Sequence, residues 1–270
     1  MITKQVMIDE RVLNNLLLKA MPQEYDVLLD GYGIDEDEEQ YLFLILALLN
    51  GHIEVITDWL NSDDGKKILD GVKELEVNFF DKLEYEIRLK LHDSFNDTII
   101  PLLLSWYSLG NKLAYRELNL SPVFLDSDWL IFDSLKQYNY NLLTDLSKDV
   151  CVTLRDVLYD GIKDGLNIDE LTDLLLTNGL KGKGKFDAKT RAEMIARTEK
   201  TRLLNQSKWN TFKQNGVEWV EIVTRRDARV CTYCLEVEAN NPYRIDQVLL
   251  PPFHPRCRCV IRKAQAPFNT

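Results

Sequence analysis

The sequence predicts a mainly α-helical protein, a helical body followed by a small C-terminal α+β lobe, and three observations carry that prediction. Apolar residues recur at spacings of three and four through the first two-thirds of the chain. Val217 to Thr224 is rich in β-branched and aromatic residues, too short for a helix of consequence, and reads as a strand. Four of the five cysteines crowd into residues 231–259.

Taken in order, Asp35 to Glu39 supply acids ahead of Tyr41–Leu49, a helix that Gly51 can end. Ile68, Val72, Leu75, Phe79, Leu83, Ile87, Leu91 and Phe95 fall on one stripe of one long helix, which Pro101 interrupts. Tyr140, Leu143, Leu146, Val150, Leu154 and Leu158 mark another helix. Asn167, with Glu170 three residues on, forms a capping box for Ile168–Thr177, closed by Gly179. Lys181-Gly182-Lys183-Gly184-Lys185 reads as a basic joint, its glycines matching no nucleotide-binding loop. Asp187 then caps a helix running to about Gln214, roughly 40 Å long at 1.5 Å per residue, with Gly216 as its stop. Cys259-Val260-Ile261 is a second strand candidate. The division expected is a helical region 1–125, a central helical region 126–216 containing the long helix 187–214, and a lobe 217–270.

A chain of 270 residues at 45% hydrophobic can bury a substantial core without disulfides. Met1 to Val6 lack the basic and apolar regions of a secretory signal, so folding in a reducing cytoplasm is expected, with thiols free or metal-bound. The longest apolar run, Tyr41–Leu49, falls short of the roughly 20 residues that span a bilayer, so no membrane segment is expected. Residues 181–270 carry 18 Lys and Arg against 9 Asp and Glu, net +9, whereas residues 1–180 carry 15 against 34, net −19. Such an acidic body with a basic end suits a polyanion or an acidic partner at that end.

The cysteines point to a metal. Cys231 and Cys234, at C-x-x-C spacing, can grip one ion from one side of a tight turn. The second pair comes from His254, Cys257 and Cys259. His254 with Cys257 closes a Cys₃His site and is the favoured set, while Cys257 with Cys259, alternate residues of a strand, closes a Cys₄ site. Either set is closed by four protein ligands, the arrangement of a structural zinc ion. Residues 217–270 are short of large apolar side chains between Leu235 and Val248. A structural zinc, on the order of 10–16 kcal/mol of apparent binding free energy in finger peptides, would decide whether such a lobe folds.

Ala196-Arg197-Thr198-Glu199 on a long helix, Trp219, the run Asp227 to Cys234 and the run Pro251 to Cys259 together resemble the phage head morphogenesis family, the Mu F-like or SPP1 gp7-like minor head proteins. The resemblance covers about residues 126–270. It implies a non-enzymatic minor capsid protein of a tailed phage or prophage, located in the virion. Its partners would be the portal protein and the scaffold or major capsid protein, and its role head assembly or DNA packaging and delivery. One departure is the absence of the glycine that usually follows the C-x-x-C segment, where Asn240 or Asn241 is expected to take up the left-handed turn.

Arg197, Glu199 and Asp227 are assigned structural roles, Glu199 being expected to meet a basic group such as Arg229 or Arg258. Lys200, Arg202, Lys208, Arg225, Arg226, Arg229, Arg256 and Arg258 are the candidate contacts for non-specific DNA or a partner, which keeps a zinc-stabilised DNA-binding module as the alternative. A zinc-framed nuclease of the His-Asn-His kind needs further histidines, and after His92 the chain has only His254. Cys151 reads as a buried helical thiol.

Overall fold

The computed structural model describes residues 36–69, 78–180 and 187–267. Eight α-helices and three short strands are found there. Helix α1 spans Glu36–Leu60, α2 Asp63–Leu69, α3 Asn78–Ser94, α4 Ile100–Glu117, α5 Asp126–Lys163, α6 Ile168–Asn178 and α7 Ala188–Gln214. Strand β1 (Trp219–Val223), helix α8 (Thr232–Ala239) and strands β2 (Tyr243–Arg244) and β3 (Val260–Lys263) complete the chain. The expected fold class, mainly helical with a small C-terminal strand region, is the one found.

By packing, the described residues form two compact units, one holding 36–101 and 136–196, the other 102–135 and 197–267. In the first unit Tyr41, Ile45, Leu49, Ile53, Ile56 and Leu60 make one buried stripe on α1. Helix α1 does not stop at Gly51 but runs nine residues further, because that position is helical and its neighbours continue the stripe. A Cβ built at Gly51 meets nothing within 4 Å. Gly51→Ala is therefore expected to raise stability by roughly 0.5–1 kcal/mol, read by urea denaturation, since it removes only unfolded-state freedom. Gly110 on α4 is the opposite case: a Cβ there would lie 2.5 Å from Leu204 O and 2.9 Å from Ser207 Cβ on α7, so Gly110→Ala is expected to destabilise.

Glu38–Leu60 is long and apolar enough, by length and composition, to cross a membrane, although no run of nine residues suggested it. Its buried stripe and its exposed Phe43 are those of an amphipathic helix packed on a core.

Ile87, Leu91 and Phe95 are buried as their spacing predicts. Residues 70–77, and the side chains of Ile68, Phe79 and Leu83, lie outside the described residues. Pro101 does not break the helical path. The turn before it widens to a π-helix, Phe95–Ile99, in which Ile100 N–H donates to Phe95 O, and α4 begins immediately. Pro101 therefore lies within a continuous helical path, and the widened turn falls where proline removes an intrahelical N–H donor. On α5, Leu143, Leu146, Val150, Leu154 and Leu158 are all buried.

The caps follow local chemistry. Asn167 Oδ1 accepts from Glu170 N at 3.0 Å while Glu170 Oε2 accepts from Asn167 N at 2.9 Å, a reciprocal capping box. Helix α6 ends before Gly179 as expected, but the glycine is right-handed at φ −58. Its reason is space, because a Cβ would sit 2.3 Å from Leu154 Cδ2. Asp187 Oδ1 caps α7 by accepting from Thr190 N at 2.7 Å. At the other end Gly216 is left-handed at φ 70; Gly216 N donates to Lys213 O and Val217 N to Phe212 O, a Schellman closure.

In the second unit the sheet order is β2-β1-β3, both pairings antiparallel. Val220, Ile222, Ile245 and Ile261 pack with Phe212 of α7 and Ala114 of α4, and with Cys234, Cys257 and Cys259. The apolar shortage of residues 217–267 is thus met by two helices that precede them in sequence. Helix α8 is a difference from the sequence expectation of a loop between the strands. Neither Asn240 (φ −92) nor Asn241 takes a left-handed conformation. Asn241 instead presents its side-chain amide to β1: Oδ1 accepts from Ile222 N and Nδ2 donates to Ile222 O, both at 2.7 Å. The amide extends the short strand β2 where a backbone residue would otherwise be needed.

Candidate metal centre

Cys231 is the N-cap of α8 and its Sγ accepts from Cys234 N at 3.4 Å. That hydrogen bond, first among the causes, lowers the Cys231 thiol below its usual range. The C-x-x-C spacing thereby becomes one helical turn that carries both sulfurs to the same end. His254 and Cys257 are joined by a second turn, with Cys257 N donating to His254 O at 3.1 Å, Pro255 at its second position and Arg256 at φ 62 at its third. This is the type II pattern with arginine in the glycine position. The left-handed conformation costs about 1–2 kcal/mol, and Arg256 N donating to Thr198 Oγ1 at 3.0 Å helps to hold it.

These two turns bring the donors together. His254 Nε2 lies 3.3 Å from Cys231 Sγ and 3.2 Å from Cys234 Sγ, and Cys234 Sγ lies 4.0 Å from Cys257 Sγ. For tetrahedral zinc, with Zn–S about 2.3 Å and Zn–N about 2.0 Å, the edges are about 3.8 Å for S···S and about 3.5 Å for S···N. These three of a tetrahedron's six edges match within a few tenths of an ångström. Two groups, Cys231–Cys234–His254 and Cys234–Cys257–Cys259, each have all their donor atoms within 4.8 Å of one another, and Cys234 belongs to both. All five cysteines are free thiols. The cluster can hold a metal ion.

The surroundings suit that task. His254 Nδ1 lies 2.9 Å from Pro255 O, so it carries the proton and leaves the Nε2 lone pair facing the sulfurs. Burial pushes the Cys234 thiol up to about 12, while hydrogen bonding from Cys259 takes Cys257 down to about 5. A cation displaces the remaining thiol protons as it binds. Arg225, Arg229, Arg256 and Arg258 line the shallow depression over the cluster and offset thiolate charge.

Asp227 ties the two ligand-bearing segments to one another. Arg258, between Cys257 and Cys259, donates to both its carboxylate oxygens at 2.6 and 2.8 Å, and Arg229 N donates to it at 2.9 Å. The Arg258 hydrogen bonds hold the Asp227 carboxyl well below the usual range. Glu199, buried on α7, pairs with Arg202 at 3.0 Å, one turn along the same helix.

The candidate basic contacts divide by burial. Lys200 is buried with its Nζ over the Trp106 ring, and Lys208 is buried in an ion pair with Glu117. Arg225 and Arg258 are largely covered and share Asp227. Arg202 is half-buried; Arg226, Arg229 and Arg256 are exposed. Arg197 is half-buried on α7.

Sequence reading missed the polar face of α7. Thr198, Thr201 and Asn205, spaced by three and four, all bond the backbone of residues 256–261. Their spacing was a signal, but it predicts a solvated face equally well.

Residues 152–262 match the family model described as Phage Mu protein F like protein. The match begins within α5 and ends in β3, so it takes in every donor of the cluster. No curated protein and no solved structure matches the chain.

Proposed function

Starting from the phage Mu protein F like family, to which the match assigns residues 152–262, we propose that this chain is a minor head morphogenesis protein of a tailed phage or prophage. It is made in the host cytoplasm, carried in the virion and associated with the portal vertex. It acts in head assembly or DNA packaging and delivery by docking, not by catalysis, and its C-terminal cluster holds a structural zinc ion.

The observation that carries the zinc reading is the cluster itself, in which two three-donor groups share Cys234 and bring five donor side chains to one place. When bound, zinc supplies cross-linking of α8 to the 254–259 segment. The remaining work belongs to this chain's own residues. His254 presents Nε2 with its proton held at Nδ1, Asp227 clamps Arg258, and the arginines balance charge. A docking role is also favoured by the histidine supply, because His52 and His92 belong to the other unit and His254 faces the thiols.

The reading is tested by incubating the tagged full chain with the portal protein of the same phage and measuring zinc per chain. Retention of the portal protein with about one zinc ion per chain is expected. Zinc-loaded protein that ignores the portal would sink the portal role while leaving the metal.

A second reading, contact with DNA, is favoured by exposed Arg226, Arg229 and Arg256, the last two of which line the depression over the cluster. Neutralising all three should flatten the salt dependence of binding to arbitrary duplex DNA by about two to three phosphate contacts. A slope unchanged by the substitutions would remove this reading.

A further inference from the structure

We propose that Asn205 of α7, assisted by Thr201, is the positioning residue for the Cys257–Cys259 arm of the metal centre, so that the loop holds its ion tightly only while the helix supports it. The proposal rests on the metal reading above. Strand β3 is an edge strand, paired with β1 on one side only. Its other side, and the residues leading into it, would expose unpaired backbone groups.

Side chains from the helices take up those groups one after another. Thr201 Oγ1 donates to Cys257 O at 2.9 Å. Asn205 Nδ2 donates to Cys259 O, and its Oδ1 accepts from Ile261 N, both at 2.9 Å. Glu117 Oε2 accepts from Lys263 N at 3.1 Å. One fully buried amide thus acts as a donor and an acceptor at once, in the place of a missing strand. Its two bonds hold Cys259 O and Ile261 N on either side of Val260, and the Thr201 bond holds Cys257 O, so the backbone that carries both sulfurs is held from α7.

A leucine at 205 fills nearly the same space but orphans a buried N–H and a buried C=O. The ligand arm would move to find other partners. Losses of supporting hydrogen bonds around metal ligands weaken affinity by roughly 10–100-fold.

The experiment uses the full chain and titrates Zn²⁺ and Co²⁺ against a chromophoric chelator. Asn205→Leu is expected to weaken both ions about 10–100-fold and to reduce the thiolate-to-cobalt absorption. Thr201→Val, which removes one bond at a half-buried site, should shift both readouts in the same direction by less, and it serves if Asn205→Leu does not fold. Asn210→Leu is the control: Asn210 lies on the same helix, is also buried and bonds Asp128 at 2.8 Å, away from the loop. It should lower the melting temperature without changing ion affinity or the cobalt spectrum. Parental affinity and spectrum in Asn205→Leu would overturn the proposal, as would an equal loss in Asn210→Leu, which would assign the effect to general instability. A parent chain that takes up neither ion would instead defeat the metal reading, and the positioning role with it.

Discussion

Replacing Cys234 by Ser is expected to strip the chain of zinc and to unfold residues from Trp219 onward while leaving the helices before residue 180 in place. Cys234 is the donor common to both three-ligand groups and is 3% exposed, so no neighbouring side chain or water can take its position without rearrangement. A serine hydroxyl stays protonated at neutral pH and is a hard, weak ligand. If a structural zinc contributes roughly 10–16 kcal/mol of apparent binding free energy, an equal quarter per ligand is about 2.5–4 kcal/mol, a large part of ordinary domain stability. Zinc per chain, far-UV circular dichroism and the melting profile should all change together. A variant with the parent's melting temperature, from a parent that contains no zinc, would argue against a structural ion. The same assay separates the two donor sets: if Cys259→Ser keeps zinc and His254→Ala loses it, the Cys₃His set is the ligand set, and the reverse outcome assigns Cys₄.

Acid should destabilise the other unit through His52. This side chain on α1 is 1% exposed, and its Nε2 lies 2.7 Å from Ser147 Oγ on α5. Its Nδ1 has no hydrogen-bond partner among the described residues. Burial, reinforced by the charge of Lys90 on α3, lowers its pKa from 6.5 to about 4. The unfolded chain therefore takes up a proton near pH 6.5 that the folded chain refuses until about pH 4. Stability from this group is complete above pH 6.5, falls through that interval and levels off below it. The loss is about 3 kcal/mol, at 1.36 kcal/mol per pKa unit. Urea denaturation of parent and His52→Leu at pH 7 and pH 4 should show the parent losing that much more than the variant. Parallel pH dependence in the two proteins would show that His52 is not buried neutral.

How much was legible in the sequence depended on how local the cause was. The capping box at Asn167 and the cap at Asp187 were readable because donor and acceptor lie three residues apart. The stripe on α5 was readable because helical periodicity reports one buried face. Gly51 and Pro101 misled for a related reason. Both are helix breakers by propensity, but burial of the flanking apolar residues outweighs a cost of about 1 kcal/mol at a glycine, and the π-turn before Pro101 carries the helix past the proline. Helix α8 was hidden by its shortness, and the pairing of Asn241 with β1 by its being an amide standing in for backbone.

Sequence by itself determined the helical class, the turns that cap it and the set of five soft donors, because residue type and short spacing suffice for each. The tertiary structure alone decided that Glu199 pairs along its own helix, that Arg258 clamps Asp227, and that Lys200 and Lys208 are buried. It alone placed Asn205 against the edge of β3. Asn205 and Ile261 stand 56 positions apart, and Glu117 and Lys263 146. Over such distances spacing carries no information about which hydrogen-bonding groups meet; that is settled by where the packed helices leave a buried backbone group in need of a partner.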